Sequence, residues 1–373
     1  SRPSVEPVVV NRNEKIAIVG AGPAGLTAAR DLALRGYQVT VFEELPEPGG
    51  MTRYGIPSYR LPRNILAGEV DDIRALGVDI KCNTRVGRDI SFDTVGNEYD
   101  YIYLAPGAHK SQRMKIEGED AAGVYGGVEF LRDFNNDEDA WLKGEKTLGS
   151  RVAIVGGGNS AIDAARCAVR LGADVTILYR RTREDMPAAD EEIIAAEEEG
   201  IKIDYFIAPK KIVSENGKVT GIVCERMKAG DFDNSGRRRP IPVEGSEFTL
   251  DVDAVVAAIG QSPDLSFVPE ESGVSVNRWD CFDLAEGSKS QTTSDKFFAG
   301  GDAVTGPWTV VGAIAAGHQA AEDIDRTIRA KYGEPPWVAP VDEIDIPFEI
   351  DEDSDEQPQA GMPELSPAER KGN

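Results

Sequence analysis

Two short apolar runs in this chain end in residues of opposite charge, and the contrast points to a chemistry. The run QVTVFE, residues 38–43, closes on Glu43, whereas DVTILYRR, residues 174–181, closes on Tyr179, Arg180 and Arg181. Each run follows a glycine-rich turn, GAGPAG at 20–25 and GGGNSA at 156–161. A carboxylate at such a strand end accepts hydrogen bonds from ribose hydroxyls and repels a 2′-phosphate. Two guanidiniums there would grip a 2′-phosphate through charge-assisted hydrogen bonds. The competing reading of Arg180 and Arg181 is a basic pair left in solvent at the end of a strand.

The elements that must position these residues occur twice. Residues 15–44 and 151–181 each read as an apolar β-branched strand, a glycine turn, a helix of small and aliphatic residues, and a second apolar strand. Laid over each other, Gly20, Gly22 and Gly25 match Gly156, Gly158 and Ala161. In such a βαβ unit the first glycine makes the tight turn and the second lets backbone approach a diphosphate. The third small residue keeps helix and strand close. The diphosphate then rests on the helix N-terminus, where unpaired N–H groups face it. Two units with different strand ends predict two dinucleotides: FAD on the first, beside Glu43, and NADP(H) on the second, with NAD(H) as the other possibility. A third stretch, residues 293–328, supports the flavin. There the strand KFFAG leads into Gly301 and Asp302, and an Asp so placed can bind a ribityl hydroxyl. The helix starting around Trp308 to Val310 can aim its amides at the flavin N1 and C2 carbonyl, which gain negative charge on reduction.

Composition narrows the class. The chain has 373 residues, 40% hydrophobic and 28% charged, with room for two or three domains. A formal charge of -24 argues against nucleic acid as a partner, since phosphate backbones demand a basic face. No stretch is apolar enough to insert in a membrane, and SRPSVEPVVV lacks a signal-peptide layout, so the cytoplasm is the expected location. Cysteines stand at 82, 167, 224 and 281, with no CxxC spacing, and the histidines are His109 and His318. No metal site is expected on the chain, and the cysteines read as small buried apolar residues.

The motifs GAGPAG, EPGGMTRYGIPSYRLP, GGGNSAID, YRR, AIG and FAGGDA together resemble the FAD/NADPH domain of the glutamate synthase small-subunit family. Similar domains occur in dihydropyrimidine dehydrogenase and in the large subunit of NADH-dependent ferredoxin:NADP oxidoreductase. The resemblance runs over residues 15–330 and rests most on the GGM…YGIPSYRLP segment. It implies FAD contacts from Gly20, Gly22, Pro23, Ala24, Gly25, Glu43, Gly50, Met51, Arg60, Val86, Gly301, Asp302, Thr309 and Val310. It implies NADPH contacts from Gly157, Gly158, Asn159, Ser160, Arg180, Arg181, Ala258, Ile259 and Gly260. Asp163 matches an acid near the nicotinamide in related flavoproteins, or is a polar residue in the first turns of its helix. Members of the family carry cysteine-rich iron–sulfur segments, so clusters are expected on partner subunits or on segments outside this chain. The chain would then be the middle of a longer polypeptide or a subunit of a larger complex.

The fold class expected is α/β, with two Rossmann-like dinucleotide-binding domains and the NAD(P) domain inserted into a split FAD domain. The divisions fall at residues 1–120 and 262–337 for FAD and 121–261 for NAD(P)H. Residues 338–373, with 11 acidic and 2 basic residues, read as an extended tail, either solvated or strapped over a basic partner. Hydride transfer between nicotinamide and flavin needs stacked rings and excluded water rather than an acid–base triad, so no catalytic residue is assigned. His109 reads as a surface-loop residue ahead of a flavin neighbour. Without a redox dithiol, the electrons' exit is one at a time, to an iron–sulfur subunit or ferredoxin-like domain. Electron bifurcation and a purely structural nucleotide-binding subunit are the alternatives. Rotation of the NADP domain is expected, by family analogy, to bring the rings together.

Overall fold

The structure is a computed structural model that describes residues 5–233, 236–339 and 365–371. Strands Lys15–Val19, Gln38–Phe42, Asp79–Lys81 and Tyr101–Leu104 pair in parallel, and Phe297–Ala299 adds on beside Tyr101–Leu104. The apolar runs that form them are buried on both faces, as a sheet covered by helices requires. One face is covered by the helices Pro23–Leu34 and Val310–Tyr332, which pack on each other.

A second parallel sheet follows the same plan. Its spatial order is Val124–Gly126, Ala254–Ala257, Arg151–Val155, Asp174–Tyr179 and Lys202–Tyr205. All five strands lie in sequence between Leu104 and Phe297, so the second nucleotide unit is inserted within the first. The fold is therefore the doubly wound α/β pair that the two glycine turns predict. An antiparallel sheet, Ile207–Glu215, Lys218–Phe232, Arg238–Pro242 and Phe248–Asp251, packs on the second unit.

The two turns share one steric device. Gly20 has φ +102°, and a side chain there would collide with the carbonyl of Ala105, just past the neighbouring strand. Gly156 has φ +140° and would collide with the carbonyl of Ala258, in the equivalent place. Only glycine tolerates both the dihedral and the approach. Of the acidic tail, residues 340–364 and 372–373 lie outside the described residues. The short helix Pro367–Lys371 is described, and Arg370 there meets Glu198 at 2.9 Å. Among the described residues no helix is long and apolar enough to cross a membrane.

Candidate functional site

Two clefts open at the carboxyl ends of the parallel strands. The first is lined by Gly20, Gly22, Pro23, Ala24, Glu43, Gly50, Met51, Val86, Gly301 and Asp302. Gly25, in the first turn of the helix Pro23–Leu34, faces the Gly20 carbonyl and Ile18 and does not line the cleft. The second is lined by Gly157, Gly158, Asn159, Ser160, Asp163, Arg180, Arg181, Ala258, Ile259 and Gly260. Pro23, Met51, Asp302 and Ala313 line both, so the clefts meet at a common wall.

Of the residues that the resemblance assigns to FAD, Arg60, Thr309 and Val310 line the second cleft. Arg60 is drawn there by charge, since its guanidinium meets Asp163 at 2.8 Å and Glu192 at 2.9 Å. Thr309 caps the helix Val310–Tyr332 by accepting from the Gly312 amide at 3.0 Å, and this helix start stands at the common wall. His109 also departs from the surface-loop reading. It lines the first cleft, and Arg132 donates to its carbonyl at 2.8 Å.

The first cleft suits the ADP half of a flavin dinucleotide. The helix Pro23–Leu34 has no side-chain cap at Gly22, and a methyl group added to Gly22 would point into the cleft, nearest the Gly50 Cα at 3.9 Å. The uncapped amides and that open space form a cradle for an anion. The Glu43 carboxylate is aimed by backbone, accepting from Ala21 and Leu45 N–H groups at 2.8 Å each. Burial raises its pKa, and these bonds oppose the rise. At the far end, Asp302 accepts from the Trp308 amide at 3.3 Å, and burial again raises its pKa.

The second cleft repeats the cradle, since the helix Asn159–Arg170 is likewise uncapped at Gly158. Arg181 is 7% exposed, and its Nη2 meets Asp233 at 2.8 Å. Its Nε and Nη1 are buried without a hydrogen-bond partner. Buried donors left unpaired are costly, and a phosphate would satisfy them. The residues present fit both dinucleotides. Arg237 and Asp233, neither singled out from sequence, join this end of the cleft through the antiparallel sheet. The signal available was the run GRRRP at 236–240, three arginines together in an acidic chain.

The segment after Gly50 ties the two units together. Ser58 donates to Glu138 at 2.8 Å, and the Tyr59 ring lies under Arg170 at 3.9 Å from its centroid and Arg166 at 4.9 Å. Those arginines converge on Glu199, at 2.7 and 2.9 Å. Arg63 reaches Asn135 at 2.8 Å. This seam holds the second unit against the first, with the clefts joined at their shared wall. Asp163, inside the seam, has its pKa pushed up to about 6 by burial, against the pull of Arg60. Burial and the charge of Arg132 push His109 down to about 4.

The sequence profile of the pyridine nucleotide-disulphide oxidoreductases matches residues 14–317. The chain belongs to that family. This oxidoreductase is 49% identical over 327 residues to the NADP(+)-dependent formate dehydrogenase subunit beta of Moorella thermoacetica, covering 87% of this chain and 45% of that one. It is 38% identical over 328 residues to the glutamate synthase [NADPH] small chain of Escherichia coli (strain K12), covering 85% and 69%. The resemblance to glutamate synthase small chains seen in the motifs thus extends over most of the chain. The oxidoreductase spans about half the length of the first curated relatives it matches, 45% and 50%. In fold it is similar to Mycobacterium tuberculosis FprA in complex with NADPH, with TM-score 0.71, 20% identity and 86% of each chain covered. Its four cysteines are unpaired, three of them buried and Cys82 partly exposed. Among the described residues no group of His, Cys, Asp and Glu is placed to hold a metal ion.

Proposed function

We propose that the protein is an FAD-dependent NADPH oxidoreductase module that exchanges electrons with iron–sulfur clusters of partner subunits or of segments outside this chain. One observation carries the reading. Two glycine-turn clefts, one with a carboxylate and one with arginines at its strand end, meet at a wall shared by Pro23, Met51, Asp302 and Ala313.

In this reading the FAD domain comprises residues 1–120 and 262–337, and the NAD(P)H domain residues 121–261. The amides that open Pro23–Leu34 and Asn159–Arg170 hold the two diphosphates. Glu43 takes the adenosine ribose of the flavin, and Arg180 and Arg181 take the 2′-phosphate of NADPH. Bound flavin supplies hydride exchange with nicotinamide and one-electron exchange with a cluster. Met51 and Pro23 keep water from the junction, and the seam through Tyr59 and Arg60 fixes the approach of one nucleotide to the other. His109, held neutral, adds no charge to the flavin cleft.

The partner assignment rests on three supports. The chain has no CxxC dithiol, relatives are named as a subunit beta and a small chain, and this sequence covers 45% of the former. The test is anaerobic stopped-flow mixing of FAD-loaded protein with NADPH, then with an oxidised ferredoxin. Rapid bleaching of the flavin band, followed by reduction of the cluster, is expected. A flavin that does not bleach would leave a structural subunit in its place.

A further inference from the structure

The adenosine end of the second cleft contains more machinery than its strand end supplies. A 2′-phosphate carries about 1.5 to 2 negative charges near neutral pH. Arg181 faces it with one nitrogen already engaged, because Asp233 holds its Nη2 at 2.8 Å. The strand Lys218–Phe232 continues to Asp233, and the chain returns through Arg237 to the strand Arg238–Pro242. Phe232 pairs with Arg238, the Asp233 amide donates to the Arg237 carbonyl at 2.7 Å, and the Arg237 amide donates to Asp233 Oδ1 at 3.3 Å. This ribbon end is tied to the nucleotide unit. The Phe206 amide donates to the Arg181 carbonyl at 3.2 Å, the Phe206 carbonyl accepts from Met227 at 2.7 Å, and the Arg238 amide reaches Asp185 at 3.4 Å. The ribbon thereby sets Arg237 in the wall of the same cleft as Arg180 and Arg181. Between strand end and ribbon, the Tyr179 hydroxyl donates to the Asp185 carbonyl at 2.7 Å, and burial raises its pKa against the opposing charges of Arg181, Arg237 and Arg180.

We propose that Arg237 is a specificity residue for the 2′-phosphorylated nucleotide, delivered across the cleft by the antiparallel ribbon. Three guanidiniums in one cleft wall supply the positive charge that a phosphate requires. Asp233 holds the Arg181 guanidinium and accepts from the Arg237 backbone amide, so strand end and ribbon are tied together before the nucleotide arrives. The proposal rests on the reading of the second cleft as an NADPH site. It adds that selection depends on a residue outside the βαβ unit.

Calorimetric titration of the FAD-loaded protein with 2′,5′-ADP, NADP+, 5′-ADP and NAD+ tests it. Arg237→Ala should weaken 2′,5′-ADP and NADP+ about tenfold to a hundredfold, the value of one charge-assisted hydrogen bond, and leave 5′-ADP and NAD+ nearly unchanged. Arg237→Lys should recover part of the loss. Equal losses for phosphorylated and unphosphorylated nucleotides, or no loss at all, would overturn it. The double variant Arg180→Ala/Arg181→Ala separates the two ideas. If it discriminates between the nucleotides and Arg237→Ala does not, the inference alone fails; if neither discriminates, the NADPH reading fails as well.

Discussion

The guanidinium of Arg60 crosses from the first nucleotide unit to the second and donates from one nitrogen to both carboxylate oxygens of Asp163, at 2.8 and 3.0 Å. Asp163 is only 4% exposed, so the pair has left most of its water behind. Breaking such a pair from one side strands a charge and costs about 3 kcal/mol or more, whereas replacing both partners with apolar groups costs far less. Arg60→Met should therefore lower denaturant stability by about that amount, and Asp163→Leu added to it should recover much of the loss. A double-mutant cycle reads the coupling. Additive losses would mean that the seam does not depend on this contact.

The same carboxyl and His109 make opposed contributions to acid stability. Asp163 rises from 3.8 unfolded to about 6 in the fold because of burial. Between those values the native state keeps a proton that the unfolded chain has shed, so this group's contribution falls as pH rises through the window. His109 drops from 6.5 to about 4, through burial and Arg132. Over nearly the same window the unfolded chain holds the proton, so stability from this group rises with pH. Relative to wild type, Asp163→Asn should lose stability on acidification from about pH 6.5 to 4, and His109→Gln should gain it. Thermal midpoints taken across that range check both signs. Parallel curves for the three proteins would show that neither group titrates as its surroundings imply.

The glycine turn separates binding from folding within one helical turn. A methyl group on Gly25 would run into the Gly20 carbonyl and the Ile18 side chain, while one on Gly22 meets nothing nearer than Gly50. Ala in a helix is otherwise favoured over Gly by up to about 1 kcal/mol, but overpacking against backbone costs about 1–3 kcal/mol. Gly25→Ala should thus lower the melting temperature. Gly22→Ala should melt as wild type without flavin and retain less FAD, measured by flavin absorbance per protein after gel filtration. Undiminished FAD in Gly22→Ala would remove the cradle from this cleft.

Local signals were legible, and contacts across the fold were not. Gly20 and Gly156 announce themselves because a turn between an apolar strand and a helix has few alternatives, and both strand ends follow at a fixed distance. Arg60 sits beside Met51 in one motif, and nothing in that motif says that its partners are Asp163 and Glu192 in the inserted unit. His109 follows a strand, but its place in the first cleft depends on Arg132 from a later helix. The long strand Lys218–Phe232 alternates only in its first half, where it packs on the second unit. Its projecting half carries the ribbon end that reaches Arg181, and no periodicity marks that destination.

Arg180 and Arg181 divide the phosphate site unequally. Arg180 is exposed at the cleft, whereas Arg181 is buried, held by Asp233 through Nη2 and left with unpaired Nε and Nη1. A phosphate that fills those donors gains more than one that meets a solvated guanidinium, because a buried group without a partner has already lost its water. Arg181→Ala should therefore weaken NADPH binding about tenfold to a hundredfold, and Arg180→Ala by less, with NADH nearly untouched by either. Dissociation constants from flavin-reduction kinetics over a range of each nucleotide give the comparison. An Arg180 effect larger than that of Arg181 would show that surface charge, rather than the buried fork, selects the nucleotide.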